Sequence, residues 1–255
     1  MRNIPLRQFR QNTVVQKELF SSSFDAESDA RIELWYLPFA DFAGKEAWYL
    51  ARLDAVERMR YRQCRNVEEA RRFATARACV REILSARLGC RPSQLHFTYG
   101  PYGKPHCAPL SFSLARTTAA ALIAVGQEAW LGVDLEQCSM VSRSEELRAF
   151  LRYVHPEERK QVTALPRDEQ PMALLRLWLR KEAVVKALGE SLLLHFSRVL
   201  CSPDAKETEV CFLDERSTAA SFWNCPLLTC PGHVGAVAFP KSQRARRMLW
   251  RTFEA

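Results

Sequence analysis

No stretch of this chain approaches the roughly 18 consecutive apolar residues that a membrane-spanning helix needs, so a membrane protein is not expected. None of the nine cysteines forms a Cys-x-x-Cys pair, and their number is odd. That pattern argues against a disulfide framework or a structural zinc site, and for reduced thiols in a cytoplasmic chain. The five histidines, at positions 96, 106, 155, 195 and 233, lack metal-ligand spacing. Residues 1–17 contain no acid, but they also lack a continuous apolar segment followed by a small-residue cleavage site, so a secretory signal is not expected. A mobile arm over residues 1–30 is the ordinary expectation for such a terminus. No strong internal repeat is present.

The composition is that of a globular protein: 47% hydrophobic and 26% charged over 255 residues. That length suits one large or two intimate domains with ample core. The formal charge of +8 favours polyanionic partners, among which net charge cannot choose.

Two segments carry the chemistry. Gly132-Val133-Asp134-Leu135-Glu136 follows the apolar run Ala129-Trp130-Leu131 and reads as a strand entering a core. Alternation puts Asp134 and Glu136 on one face and Val133 and Leu135 on the other. From Met172 to Leu188 the apolar spacing is helical, and Glu182 and Lys186 lie one turn apart, with Trp178 a turn before Glu182. If that helix packs beside the strand, Asp134, Glu136 and Glu182 converge. Such a group could hold Mg²⁺, which takes one or two carboxylates with water and substrate phosphate oxygens. Taken singly, each pair is an ordinary solvated face or helix-surface ion pair.

In this order, with 41 residues between Glu136 and Trp178, the segments resemble the signature of the 4′-phosphopantetheinyl transferases. The match is to the larger, two-lobed type that activates peptide and polyketide synthases, enzymes of secondary metabolite biosynthesis. Tyr102-Gly103-Lys104-Pro105 resembles that family's Gly-Lys-Pro element, and the resemblance runs from about Asp54 to Phe239. It implies an α+β fold of two pseudo-symmetric lobes, each a small antiparallel sheet packed by helices, with the active site between them. It also implies transfer of 4′-phosphopantetheine from coenzyme A to a serine of an acyl- or peptidyl-carrier protein, with Mg²⁺. By the same resemblance Asp134, Glu136 and Glu182 are the metal ligands, and Glu182 and Lys186 are catalytic. Arg72, Lys104 and Arg116 would bind the coenzyme A phosphates, with Arg58 and Arg62 as weaker candidates and His106 beside the ligand. A monomer without membrane or nucleic-acid partners is expected.

Ser111-Phe112-Ser113-Leu114-Ala115-Arg116-Thr117 departs from the family pattern Phe-Asn-(Ile/Leu)-Ser-His-Ser. Ser113 replaces the asparagine, and Ala115-Arg116 replaces the serine and histidine. Arg116 is a capable substitute, since a guanidinium is always charged and forks onto phosphate.

Organisation follows from the same reading. The N-terminal lobe spans residues 1–126, the C-terminal lobe 127–240 and a peripheral basic tail 241–255, with the junction near Gly126-Gln127-Glu128. Between Arg52 and Arg87 ten arginines stand against five acids, in a helix-rich region that Gly89 ends. Strands are expected at residues 32–37, 95–99, 112–114, 119–125, 130–136, 209–213, 221–224 and 234–239. Helices are expected near 145–153, 156–163 and 172–188. Two other readings remain open: a basic nucleic-acid or ligand-binding module without catalysis, motivated by the arginines, and a coenzyme A-binding homologue that has lost transfer.

Overall fold

The computed structural model describes residues 31–127, 130–142, 149–190, 196–204, 206, 208–213, 220–241, 247–251 and 253. The expected arm over 1–30, Glu128 of the junction, His195 and residues 145–148 of the helix expected near 145–153 lie outside the described residues. The fold is a mixed α/β arrangement built on two large sheets and one two-stranded sheet.

The first sheet contains β1 (Arg31–Pro38), β4 (Ser111–Arg116), β5 (Ala120–Gly126) and β12 (Arg247–Arg251), in the order β12-β1-β5-β4. Strand alternation gives it two apolar faces. Trp35, Leu37, Phe112 and Ile123 pack against helix α3, while Ile32, Leu34, Leu122 and Ala124 face the second sheet. Helices α1 (Glu46–Arg52), α2 (Ala55–Gln63) and α3 (Val67–Leu88) cover the first face. The Asn66 side chain caps α3 by accepting from Glu69 N–H at 2.9 Å, and Gly89 ends it with φ 65°, as expected.

The ten-arginine region is not simply a solvated face. Arg77 and Arg81 are buried on α3 and share Glu57 of α2, at 2.6 and 2.5 Å. Arg81 also pairs with Asp54 and donates to the carbonyls of Pro92 at 2.8 Å and Leu95 at 3.0 Å. These bonds hold the chain at Pro92 and at Leu95, the first residue of the strand expected over 95–99. The strand is accordingly shorter: β2 (Thr98–Tyr99) pairs with β3 (Pro105–His106).

The second sheet runs β10-β11-β9-β8-β7, with β6 (Gly132–Gln137) also paired to β11. Its other strands are β7 (Val199–Cys201), β8 (Glu209–Leu213), β9 (Ala220–Asn224), β10 (Leu227–Cys230) and β11 (His233–Pro240). Helices α4 (Pro156–Ala164) and α5 (Gln170–Leu188) pack on it around Val162, Leu174, Val184, Val210 and Trp223. Val133 and Leu135 of β6 join the core between the sheets, which leaves Asp134 and Glu136 on the opposite face of the strand.

Part of the tail expected over 241–255 is a strand. Residues 247–251 form β12, parallel to β1 from the pair Arg31/Arg247 to the pair Trp35/Arg251. Arg251 reaches Glu33 at 3.2 Å, and Arg87 of α3 pairs with the same carboxylate. The segment's arginines obscured a short strand that is held by backbone ladder bonds rather than by an apolar stripe.

Candidate active site

Helix α5 is anchored from behind before it offers anything to a ligand. Lys181 is fully buried, pairing with Glu158 of α4 at 2.8 Å and donating to the Phe196 carbonyl at 3.0 Å and to that of Val199. Arg180 donates to the carbonyls of Asp204 at 2.8 Å, Cys225 at 3.3 Å and Ser202. Buried cations persist only where partners meet their donors, and these two are met by a carboxylate and backbone carbonyls. With that side of the helix fixed, Glu182 and Lys186 lie within electrostatic reach of Asp134.

The approach of α5 to β6 depends on Gly132. A Cβ at that position would stand 2.0 Å from the Ala183 carbonyl oxygen and 2.5 Å from Ala187 N. Strand and helix therefore meet backbone to backbone where the acidic strand begins.

Asp134 is 5% exposed, and its Oδ1 accepts from Lys186 Nζ at 2.7 Å. Its Oδ2 is buried and has no hydrogen-bond partner among the described residues. Burial, and then the charge of Asp134, push the carboxyls of both Glu136 and Glu182 up to about 7. Burial works against the Lys186 ammonium, but Asp134 and Glu182 outweigh it and its pKa rises. Three acids and one lysine thus share one electrostatic neighbourhood. Among the described residues, however, no three His, Cys, Asp or Glu side chains form a ready-made metal-binding group. The chemistry of the donors nevertheless fits a hard divalent cation: all are carboxylate oxygens, and one is buried without a partner.

Glu136 also lines an open cleft of about 410 Å³, shared with Glu69 and Arg72 of α3, Arg116 and Thr117 at the end of β4, and Gln137 after it. Both arginines singled out in the sequence therefore stand in one wall, and a carboxylate links them. Glu69 Oε1 accepts from Arg116 at 2.7 Å, and Oε2 from the Nε and Nη2 of Arg72, each at 3.3 Å. Burial would raise the Glu69 pKa, but the two guanidiniums, Arg116 foremost, hold it below the usual value. Arg58, Arg62 and His106 are not among the residues lining this cleft.

Lys104 is engaged differently. Its Nζ donates to the carbonyls of Ala187 at 2.7 Å and Leu131 at 3.1 Å, tying the Gly-Lys-Pro loop to the end of α5 and the start of β6. Desolvation lowers its pKa to about 8. In this arrangement the ammonium serves backbone acceptors.

The two departures in β4 have local explanations. Ser113 Oγ accepts from Val133 N–H at 3.0 Å, a direct link from the first sheet to the acidic strand. Ala115 is buried in the core between the sheets, where a small apolar side chain fits. Sequence reasoning missed this Ser113 contact and also Glu69. Glu69 stands three residues before Arg72, a spacing that signals a helix ion pair, but nothing local distinguishes it from Glu68 and its pairing with Arg71.

The model of the 4′-phosphopantetheinyl transferase superfamily matches residues 131–238, which contain β6 and α5. A Synechocystis sp. protein provisionally named a 4′-phosphopantetheinyl transferase is 32% identical over 149 residues, covering 56% of this chain and 60% of its own length. The 4′-phosphopantetheinyl transferase HetI of Nostoc sp. is 30% identical over 167 residues, 63% of this chain and 70% of the relative. Sfp of Bacillus subtilis, another 4′-phosphopantetheinyl transferase, is 25% identical over 148 residues, 56% of this chain and 63% of the relative. The chain thus spans about three fifths of the first relative and somewhat more of the second, and the matches agree with the acidic strand and the Glu-Lys helix in pointing to one family. The protein belongs to the 4′-phosphopantetheinyl transferase superfamily.

Proposed function

We propose that this protein transfers the 4′-phosphopantetheine arm of coenzyme A to a serine hydroxyl of an acyl- or peptidyl-carrier protein, in a Mg²⁺-dependent reaction. The observation that carries the reading is the acid cluster of β6 and α5 joined, through Glu136, to the arginine wall of the cleft. Two pseudo-symmetric lobes meeting near residue 126, a monomeric state and a cytoplasmic location belong to the same proposal.

In the reaction, the serine oxygen attacks the phosphorus on the pantetheine side of the coenzyme A pyrophosphate. The bond to the bridging oxygen breaks, and adenosine 3′,5′-bisphosphate leaves with the electron pair. Asp134, Glu136 and Glu182 would hold Mg²⁺, which when bound supplies positive charge to the pyrophosphate oxygens. Glu182, pushed up to about 7, is suited to take the serine proton directly or through water. Lys186 keeps its charge through its proximity to Asp134 and can offset charge on the leaving phosphate. Arg72 and Arg116 would grip phosphate at the adenosine end. Lys104 would act by holding α5 and β6 together, and by reaching a phosphate only after leaving its carbonyls.

The basic-module reading is less favoured. Six of the ten arginines between positions 52 and 87 (Arg52, Arg71, Arg72, Arg77, Arg81 and Arg87) are engaged with acids of the chain. A direct test is the release of adenosine 3′,5′-bisphosphate from coenzyme A. Release that requires both Mg²⁺ and an apo carrier protein supports the proposal; no release with several unrelated carriers overturns it.

Two further outcomes are expected. Glu136 and Glu182 have folded-state pKa values raised from 4.5 to about 7. Without metal their contribution therefore favours the fold below about 4.5 and is lost as pH rises through about 7. Above that, both carry charge and can hold Mg²⁺. Added Mg²⁺ should raise the melting temperature clearly at pH 8 and little at pH 6, and Glu182→Gln should remove most of the difference. Equal Mg²⁺ shifts at both pH values would contradict the assignment.

Arg116→Ala should weaken coenzyme A binding by about ten- to a hundredfold, the value of a hydrogen bond to a charged group. Dephospho-coenzyme A should scarcely respond if the arginine holds the 3′-phosphate. Equal losses for the two ligands would remove that assignment.

A further inference from the structure

We infer that Glu69 is an internal counter-ion of the anion cleft, which lowers its affinity for phosphate and makes a doubly charged ligand group necessary to occupy it well. The inference rests on Arg72 and Arg116 being the anion-binding residues proposed above.

Three observations support it. Both oxygens of Glu69 are used, one by each arginine, so one carboxylate stands between the two cations of the wall. The bond to Arg116 is short, at 2.7 Å, whereas both contacts to Arg72 are 3.3 Å, so the grip is uneven and Arg72 is the looser partner. Glu69, Arg72 and Arg116 all line the cleft, with Glu136 as a further acid in it. Glu69 is thus not a remote surface charge.

The wall carries two positive charges and one negative. A phosphate monoester brings close to two negative charges and three strong acceptor oxygens, against one charge and two oxygens on a carboxylate. A guanidinium has five N–H donors, so each arginine can meet an entering phosphate on an edge that Glu69 does not use. What Glu69 then adds is repulsion, close to the incoming anion and inside the Debye length at physiological salt. A singly charged diester gains too little from the remaining charge to compete. A terminal monoester, such as the 3′-phosphate of coenzyme A, gains about twice as much.

The alternative role is orientation, in which the carboxylate holds the arginines in place for the ligand. The two roles predict opposite signs. The pair is partly exposed, with side-chain exposures of 28% for Arg116 and 40% for Glu69, and exposed ion pairs hold geometry only weakly.

The test is titration of the full-length protein and its Glu69→Gln variant with coenzyme A, dephospho-coenzyme A and inorganic pyrophosphate, at two salt concentrations. Glutamine keeps the size and one acceptor, and circular dichroism checks that α3 persists. The variant is expected to bind coenzyme A about three- to tenfold more tightly, with a steeper salt dependence, as follows from removing one like charge at a partly screened site. Dephospho-coenzyme A should be nearly unchanged. Weaker coenzyme A binding by Glu69→Gln would show that the carboxylate orients the arginines and would overturn the inference, as would equal affinity. If neither protein binds coenzyme A but the variant binds pyrophosphate more tightly, the counter-ion role stands and the proposed function falls. If no probe binds either protein, both fall.

Discussion

Asp134→Asn is expected to reduce phosphopantetheine transfer by about a hundred- to a thousandfold or more, the scale on which one organised electrostatic contact contributes to a transition state. The substitution keeps the shape of the side chain while removing its charge. In the folded protein that charge holds Lys186 at 2.7 Å and raises the proton affinity of both Glu136 and Glu182. One oxygen is buried without a partner, as expected of a ligand rather than of a structural strut. The same variant has a second readout: without Asp134, the carboxyls of Glu136 and Glu182 should titrate closer to the ordinary range, and carboxyl-region NMR can follow them. Glu182→Ala should be comparably damaging. Glu136→Ala should cost less, since water can replace one ligand in a Mg²⁺ shell. Near-normal transfer by folded Asp134→Asn would remove the metal assignment.

Gly132→Ala is expected to be the most disruptive single-methyl change in the site. The added carbon would stand 2.0 Å from the Ala183 carbonyl and 2.5 Å from Ala187 N, and both neighbours are backbone of α5. No rotamer change relieves that contact, so the helix must move away from β6. Overpacking typically costs about 1–3 kcal/mol, and a clash with rigid backbone belongs at or above the upper end. The displacement would also carry Glu182 and Lys186 away from Asp134. Loss of both thermal stability and transfer is the expected result, measured by calorimetry and by carrier modification. An unchanged melting temperature would mean that strand and helix are not held as closely as described.

These two residues show how far the sequence could be read. Asp134 was legible because strand alternation and helical spacing are local rules, and they put the acids on one face and Glu182 one turn from Lys186 before any tertiary contact was known. Most element positions followed for the same reason, β8 included. Gly132 was visible as part of a motif, but its close contact with α5 is tertiary and leaves no periodic trace. Lys181 and Arg180 were harder still. Charged residues in a helix normally suggest solvent, yet both are buried, because backbone carbonyls 15 to 45 residues further on, and Glu158 for Lys181, satisfy them. Strand β12 has the composition of a basic tail, because a short edge strand needs backbone pairing rather than an apolar stripe. The motif alone points Lys104 at phosphate, and its two carbonyl partners, 27 and 83 residues away in sequence, leave no local trace.

Phosphopantetheine transfer is measured most directly by intact-mass analysis of an apo carrier protein after incubation with this protein, coenzyme A and Mg²⁺. The carrier is expected to gain the mass of one phosphopantetheine. The gain should be absent when Mg²⁺ is chelated and absent when the carrier's acceptor serine is replaced by alanine. An unmodified carrier in the presence of a folded, coenzyme A-binding protein would contradict it.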